Sequence, residues 1–188
     1  MTIQTRFGTF RGLVRLMLSY AQIGAGRSGQ LRPNPSDSGQ PVTRLVFVCH
    51  GNICRSAFAD VVSRDLGMRT ASFGLSTSDG DPAHGPAVES AKRLGYDLSQ
   101  HRTTRMEDFV PEPGDLLLAM EVRQMHRLAA EPRLKDVPRA LLGLWGRPPL
   151  GHLHDPFSLH PGYMDVCLKR IDGAVKRLAR AFPRAKLS

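Results

Sequence analysis

The chain has 188 residues, 20.7 kDa and 41% hydrophobic residues, enough apolar content for one folded domain with an appendage and too much for a disordered chain. No apolar run approaches the roughly 18 residues that a membrane-spanning helix needs, so none is expected. The formal net charge is +9, and it is uneven: residues 1–44 hold six arginines (6, 11, 15, 27, 32 and 44) against Asp37 alone. That balance favours anionic partners such as phosphorylated groups, acidic segments or membrane surfaces. Three cysteines in a chain of this length argue against a disulfide scaffold and for a reducing, cytoplasmic setting. Arg15 breaks the N-terminal apolar stretch and leaves a stub too short for a secretory signal.

Arg6 to Ile23 has helical periodicity, with Phe7, Phe10, Val14, Met17, Leu18 and Ala21 on one face and Arg11, Arg15 and Gln22 on the other. Gly24 to Gln40 is dense in Gly, Pro and Ser and reads as a linker. The expected division is therefore a basic helical arm plus linker over 1–41 and a folded domain over 42–188. Leu45–Val48 is a continuous apolar run, as in a strand covered on both faces. Ser56–Leu66 is helical, Ala71–Leu75 a second strand, and Pro86–Leu94 a helix stopped by Gly95. Leu116–Met120 is a third strand and Glu121–Ala130 a helix ended by Pro132. Ala140–Trp145 is expected as a fourth strand and Gly162–Phe182 as the closing helix. Strands alternating with helices predict an α/β fold: a doubly wound, four-stranded parallel sheet with an N-terminal helical extension.

Directly after the first strand comes Cys49-His50-Gly51-Asn52-Ile53-Cys54-Arg55-Ser56, then a helix. A loop of this kind points successive backbone N–H groups inward, and the helix start adds partial positive charge. A tetrahedral oxyanion fits there, with the Arg55 fork able to clamp two of its oxygens. Such a field also favours a thiolate, and a thiolate held against phosphorus is a phosphoryl-transfer device. A lone Cys49 would read as a small buried hydrophobe. Paired with Arg55 six positions on and Gly51 in the turn, it reads as a nucleophile.

This run resembles the phosphate loop of the low-molecular-weight protein tyrosine phosphatases. Ser72-Phe73-Gly74, Ser99-Gln100-His101-Arg102, Asp115–Met120 and Asp155-Pro156 resemble further family segments in the same order, so the likeness covers about Leu45 to Phe182. Leu141–Trp145 is most similar to bacterial members linked to exopolysaccharide export. The resemblance implies that Cys49 attacks phosphorus, that Arg55 and the amides of residues 50–56 hold the equatorial oxygens, and that Asp155 is the general acid and base. It also implies a supporting network of Asn52, Ser56, Ser72 and His101, and a substrate pocket with His50 and Phe157 at its mouth. No cofactor or metal is implied. The implied partner is a phosphotyrosine protein, an autophosphorylating tyrosine kinase among the options, and not nucleic acid. Ala57 stands where the family commonly has proline, and Ser76–Asp79 offers no counterpart to a second aromatic wall.

Other signals carry less. Gly24–Gly29 fits G-x-G-x-x-G, but no strand precedes it and Pro33 and Pro35 follow. His152, His154 and Asp155 in a loop do not make a metal site, and Cys49 with Cys54 lacks the second pair of a zinc site. Cys167 reads as core packing. An arsenate reductase of this fold needs two more relay cysteines, and none lies between Cys54 and Cys167. Protein-arginine phosphatases carry threonine where this loop has Ile53. A phosphoprotein-binding adaptor is the non-enzyme alternative, and residues 6–23 could contact the inner membrane face peripherally.

Overall fold

The computed structural model describes residues 2–22 and 41–187, so the expected linker lies outside the described residues. Four parallel strands, β1 (Arg44–Cys49), β2 (Thr70–Gly74), β3 (Asp115–Ala119) and β4 (Arg139–Leu141), lie in the order β2-β1-β3-β4. The helices are α1 (Ile3–Phe7), α2 (Phe10–Gln22), α3 (Arg55–Asp65), α4 (Gly85–Arg93), α5 (Val122–Ala130) and α6 (Pro161–Ala181).

The central strands are buried on both faces, as their unbroken apolar runs require. Leu45, Phe47, Leu116 and Leu118 point into one layer with Phe58 and Val62 of α3 and Leu168, Ile171 and Val175 of α6. Val46, Val48, Leu117 and Ala119 point into the other, against Met125 and Leu128 of α5, Phe73 and Phe109. Helices on both faces make the sheet doubly wound, as the element pattern predicts. Arg44, opposite Asp115 in the register, is fixed to it through Nε–Oδ1 at 2.6 Å and Nη2–Oδ2 at 2.7 Å. Because β1 lies between β2 and β3, the carboxyl ends of β1 and β3 open a crevice, the usual place for a ligand in such a sheet.

Two expectations need correction. The fourth strand stops at Leu141 and gives way to a 3-10 turn over Leu142–Trp145. Leu141 pairs with Ala119, where β3 ends, so the residues beyond have no strand to pair with, and Leu150 N–H instead donates to Gly143 O at 2.8 Å. The N-terminal helix is two helices, broken at Gly8, whose φ of 78° is the left-handed conformation that favours glycine. The apolar stripe of α2 is turned to solvent: Gly12, Leu16 and Ser19 are buried, whereas Phe10, Met17 and Leu18 are 68%, 62% and 58% exposed. A Cβ on Gly12 would lie 2.8 Å from the His154 ring, so the small-residue face lets α2 approach more closely than the bulky face could. No described helix is long and apolar enough to cross a membrane.

Candidate active site

Cys49 is the last residue of β1, and the chain turns through residues 50–54 into α3. Its Sγ lies 3.0 Å from Ser56 Oγ and accepts the Asn52 N–H at 3.2 Å. Asn52 sits at φ 53°, a left-handed conformation unusual outside glycine, and its side chain holds it there. The amide Nδ2 donates to Ser56 Oγ at 2.8 Å and Ser72 Oγ at 3.0 Å, and Oδ1 accepts the Thr104 N–H at 2.9 Å. The Asn52 carbonyl accepts His101 Nε2 at 2.7 Å, which fixes the tautomer. Burial lowers the His101 pKa, against the opposing pull of that bond. The sequence-predicted network of Asn52, Ser56, Ser72 and His101 is therefore brought together around one loop. Gly74 closes against it, since a Cβ there would meet Asn52 Cβ and N at 3.1 Å.

Arg55 is buried and makes an unusual set of contacts. Nη1 donates to Glu121 Oε1 at 2.7 Å and Leu153 O at 2.9 Å, and Nη2 donates to Asp155 Oδ2. Its Nε, also buried, has no partner among the described residues. Asp155 Oδ1 accepts the Phe157 N–H at 3.2 Å, which orients the carboxylate. The fold thus brings residue 155 to residues 49 and 55 from a stretch of chain 100 positions beyond the loop.

Glu121 escaped the sequence analysis. Cys49 follows Val48 in β1, Val48 pairs with Ala119, and Glu121 lies just past the end of β3, so both strand ends deliver chemistry to the same crevice. Its side chain is fully buried, with Arg123 Nε at 2.6 Å and His152 Nδ1 at 3.8 Å from Oε2. Burial alone would raise its pKa, but Arg55, Arg123 and His152 outweigh it and bring the carboxyl down to about 2. His152 in turn is pushed down to about 4, first by burial, so it is neutral near pH 7. His152 Nε2 and His154 Nδ1 are 3.2 Å apart, and His154 Nε2 meets Thr9 Oγ1 of the N-terminal arm at 3.2 Å.

At the mouth, His50 is exposed and its carbonyl accepts the Ser76 N–H at 2.9 Å. Phe157 is 49% exposed and packs against His84, ring centroids 4.9 Å apart. His84 N–H donates to Ile53 O at 2.9 Å, which ties this ring pair to the loop. His84 is a second ring that the sequence analysis did not find, from the N-cap of α4 and not from Ser76–Asp79. Cys54 is buried beside Cys49, and burial first, then the neighbouring Cys49 and Asp155 charges, raise its pKa. Cys167 is buried in the core under α6.

A buried sulfur that accepts the Asn52 N–H, with an arginine and a carboxylate gathered in the same crevice, is the arrangement of a phosphate-loop protein of the cysteine-dependent class. Residues 44–187 match the model of the low molecular weight phosphotyrosine protein phosphatases, and the chain belongs to that family. It is 33% identical over 91 residues to the probable low molecular weight protein-tyrosine-phosphatase EpsP of Ralstonia solanacearum, a match covering 47% of this chain and 63% of that protein. The chain thus spans about three fifths of that curated relative's length. Among solved structures it is similar to the tyrosine phosphatase AmsI of Erwinia amylovora (TM-score 0.67, 23% identity, covering 78% of this chain and 97% of that one). It is also similar to the YwlE arginine phosphatase of Geobacillus stearothermophilus (TM-score 0.62, 23% identity, covering 73% and 91%). At such identities the likeness carries the fold, which phosphatases with different substrates share.

Proposed function

We propose that the chain hydrolyses phosphotyrosine in proteins through a cysteinyl-phosphate intermediate. The observation that carries this reading is the convergence of Cys49 Sγ, the Asn52 N–H and the Arg55–Asp155 ion pair in one crevice. Cys49 Sγ attacks phosphorus while the bond to the phenolic oxygen breaks, and Asp155 passes its proton to that oxygen as it leaves. Arg55, with its unpartnered Nε, and the loop amides face the equatorial oxygens, where transition-state charge is spread. Water then attacks phosphorus, Asp155 takes its proton, and the S–P bond breaks to release inorganic phosphate and the thiolate. Asn52 and Ser56 position the sulfur, and His101 positions Asn52.

Two features favour an aryl phosphate. Cys49 is only 2% exposed, so a phosphate must reach it on a long side chain, and phosphoserine is too short. Ile53 and the His84–Phe157 ring pair give the mouth flat, largely apolar lips suited to a phenyl ring. Parallel turnover of phosphotyrosine, phosphoarginine and phosphoserine peptides tests this: phosphotyrosine should lead, and preference for either other peptide overturns the substrate reading.

The partner would be a phosphotyrosine protein such as a self-phosphorylating kinase, met at the inner membrane face. The exposed stripe of Phe10, Val14, Met17 and Leu18, with Arg11 and Arg15 beside it, suits an anionic bilayer interface by shape and charge. The full chain should co-sediment with phosphatidylglycerol vesicles at low salt and lose this in Phe10→Glu/Met17→Glu. No sedimentation of the wild type would refute the contact.

A further inference from the structure

A second concave site lies away from the phosphate loop. Between α1, α2, α6 and the segment after Trp145 is a cavity of about 530 Å³, within the range of small-molecule sites. Five cations line it: Arg6 from α1, Arg147, and Lys169, Arg170 and Arg177 from α6. No acidic residue lines it, and none of the five makes an ion pair among the described residues. Elsewhere this chain matches its arginines to carboxylates repeatedly, as Arg44 and Arg55 show. Five like charges around one hollow repel each other, and an anion of charge −2 or more would relieve that repulsion.

Three of the cations are held in place. Arg177 Nε donates to Trp145 O at 2.5 Å, and the Arg6 and Arg170 guanidinium groups lie 5.4 and 5.9 Å from the centre of the Phe7 ring. Arg147 and Lys169 are exposed and free to turn toward a ligand. The remaining wall is apolar, with Phe7, Leu16, Leu153 and Val166. A purely inorganic ion would leave that apolar wall uncovered. A phosphoryl or pyrophosphoryl group carrying an organic substituent would satisfy both parts.

The geometry points to this cavity as a binding site for an organic phosphate, separate from the Cys49 loop and built jointly by the N-terminal arm and α6. A lipid headgroup and a soluble nucleotide-like phosphate share the required chemistry. None of residues 49–56 lines the cavity, so a ligand there does not occupy the phosphate loop.

Calorimetric titration of the full chain, with the phosphate loop occupied by orthovanadate, tests the site. The probes are inorganic pyrophosphate, ADP, and dihexanoyl phosphatidic acid below its micelle concentration. At least one organic probe should bind saturably, one per chain and tighter than pyrophosphate. Its affinity should fall at least tenfold in Arg147→Gln/Lys169→Gln, while para-nitrophenyl phosphate turnover stays within twofold. Both side chains are exposed, so the variant should keep the wild-type melting temperature. Tighter binding of phosphatidic acid assigns a lipid headgroup, and tighter binding of ADP a soluble phosphate. The inference is overturned if no organic probe binds saturably, or if binding is unchanged both in that variant and in Arg170→Gln.

Discussion

Replacing Glu121 by glutamine removes one of the two carboxylates that hold Arg55. The native carboxylate takes Arg55 Nη1 at 2.7 Å and Arg123 Nε at 2.6 Å, and it is fully buried. Removing one partner of a buried ion pair costs about 3–5 kcal/mol. Here Arg55 keeps Asp155 and the Leu153 carbonyl, and exposed Arg123 can rehydrate, so roughly 2–3 kcal/mol is expected. For a chain of this size that lowers Tm by about 5–10 °C. Loosening the guanidinium should also lower kcat/KM by roughly tenfold or more, since each tenfold corresponds to about 1.4 kcal/mol of transition-state stabilisation. Calorimetric melting and steady-state kinetics on an aryl phosphate give both numbers, with Glu121→Asp as the variant that keeps the charge and should recover part of each. A Tm within 2 °C of wild type together with kcat/KM within twofold would refute the positioning role of Glu121.

Cys49→Ser should abolish turnover while vanadate binding persists, because the hydroxyl is a poor nucleophile and the loop amides and Arg55 remain. Residual activity within tenfold of wild type excludes Cys49 as nucleophile. Asp155→Asn should slow phenyl phosphates with basic leaving groups far more than para-nitrophenyl phosphate, since only the former need the proton. Equal losses would remove Asp155 from the acid role. His152 stays neutral in the folded chain down to about pH 4, whereas the unfolded chain protonates it near its ordinary 6.5. Its contribution is therefore complete above pH 6.5 and lost as the pH falls toward 4. Urea unfolding should show a loss between pH 7.5 and pH 5 that is smaller by about 2 kcal/mol in His152→Gln, the remainder belonging to His101 and His154, which burial also lowers. A loss of the same size in that variant would assign it to other groups.

What could be read from the sequence was what is contiguous. The phosphate loop carries its own logic in eight consecutive residues, and the apolar runs Leu45–Val48 and Leu116–Met120 place the two strands beside it. Asp155 is different: no local pattern separates it from an ordinary Asp-Pro turn, and only the family likeness singled it out. Glu121 was hidden because an acid before a helix reads as a helix start. The available clue was its place directly after a buried strand, at the carboxyl end where α/β sheets bind ligands. His84 was masked in the same way by its helix-capping position. Which face of the arm docks was not legible, because periodicity ranks faces by hydrophobicity, while docking here followed the small residues that permit close approach, Gly8 and Gly12.

The family match begins at residue 44, so the two N-terminal helices lie outside it, yet they rest on the segment that carries Asp155. Gly8 and Gly12 crowd the His154 ring, Thr9 bonds it, and His154 is covalently next to Asp155. The stretch from Leu150 to His160 has no regular secondary structure, so its order depends on what is packed behind it. The extension therefore acts as a splint for the carboxylate proposed as proton donor. Warming should fray this splint before the sheet yields, because short helices docked by a small-residue face bury little apolar area. Activity should then decline at temperatures where the far-ultraviolet circular dichroism of the domain is still native, and a cross-link between the arm and the 150–160 segment should bring the two transitions together.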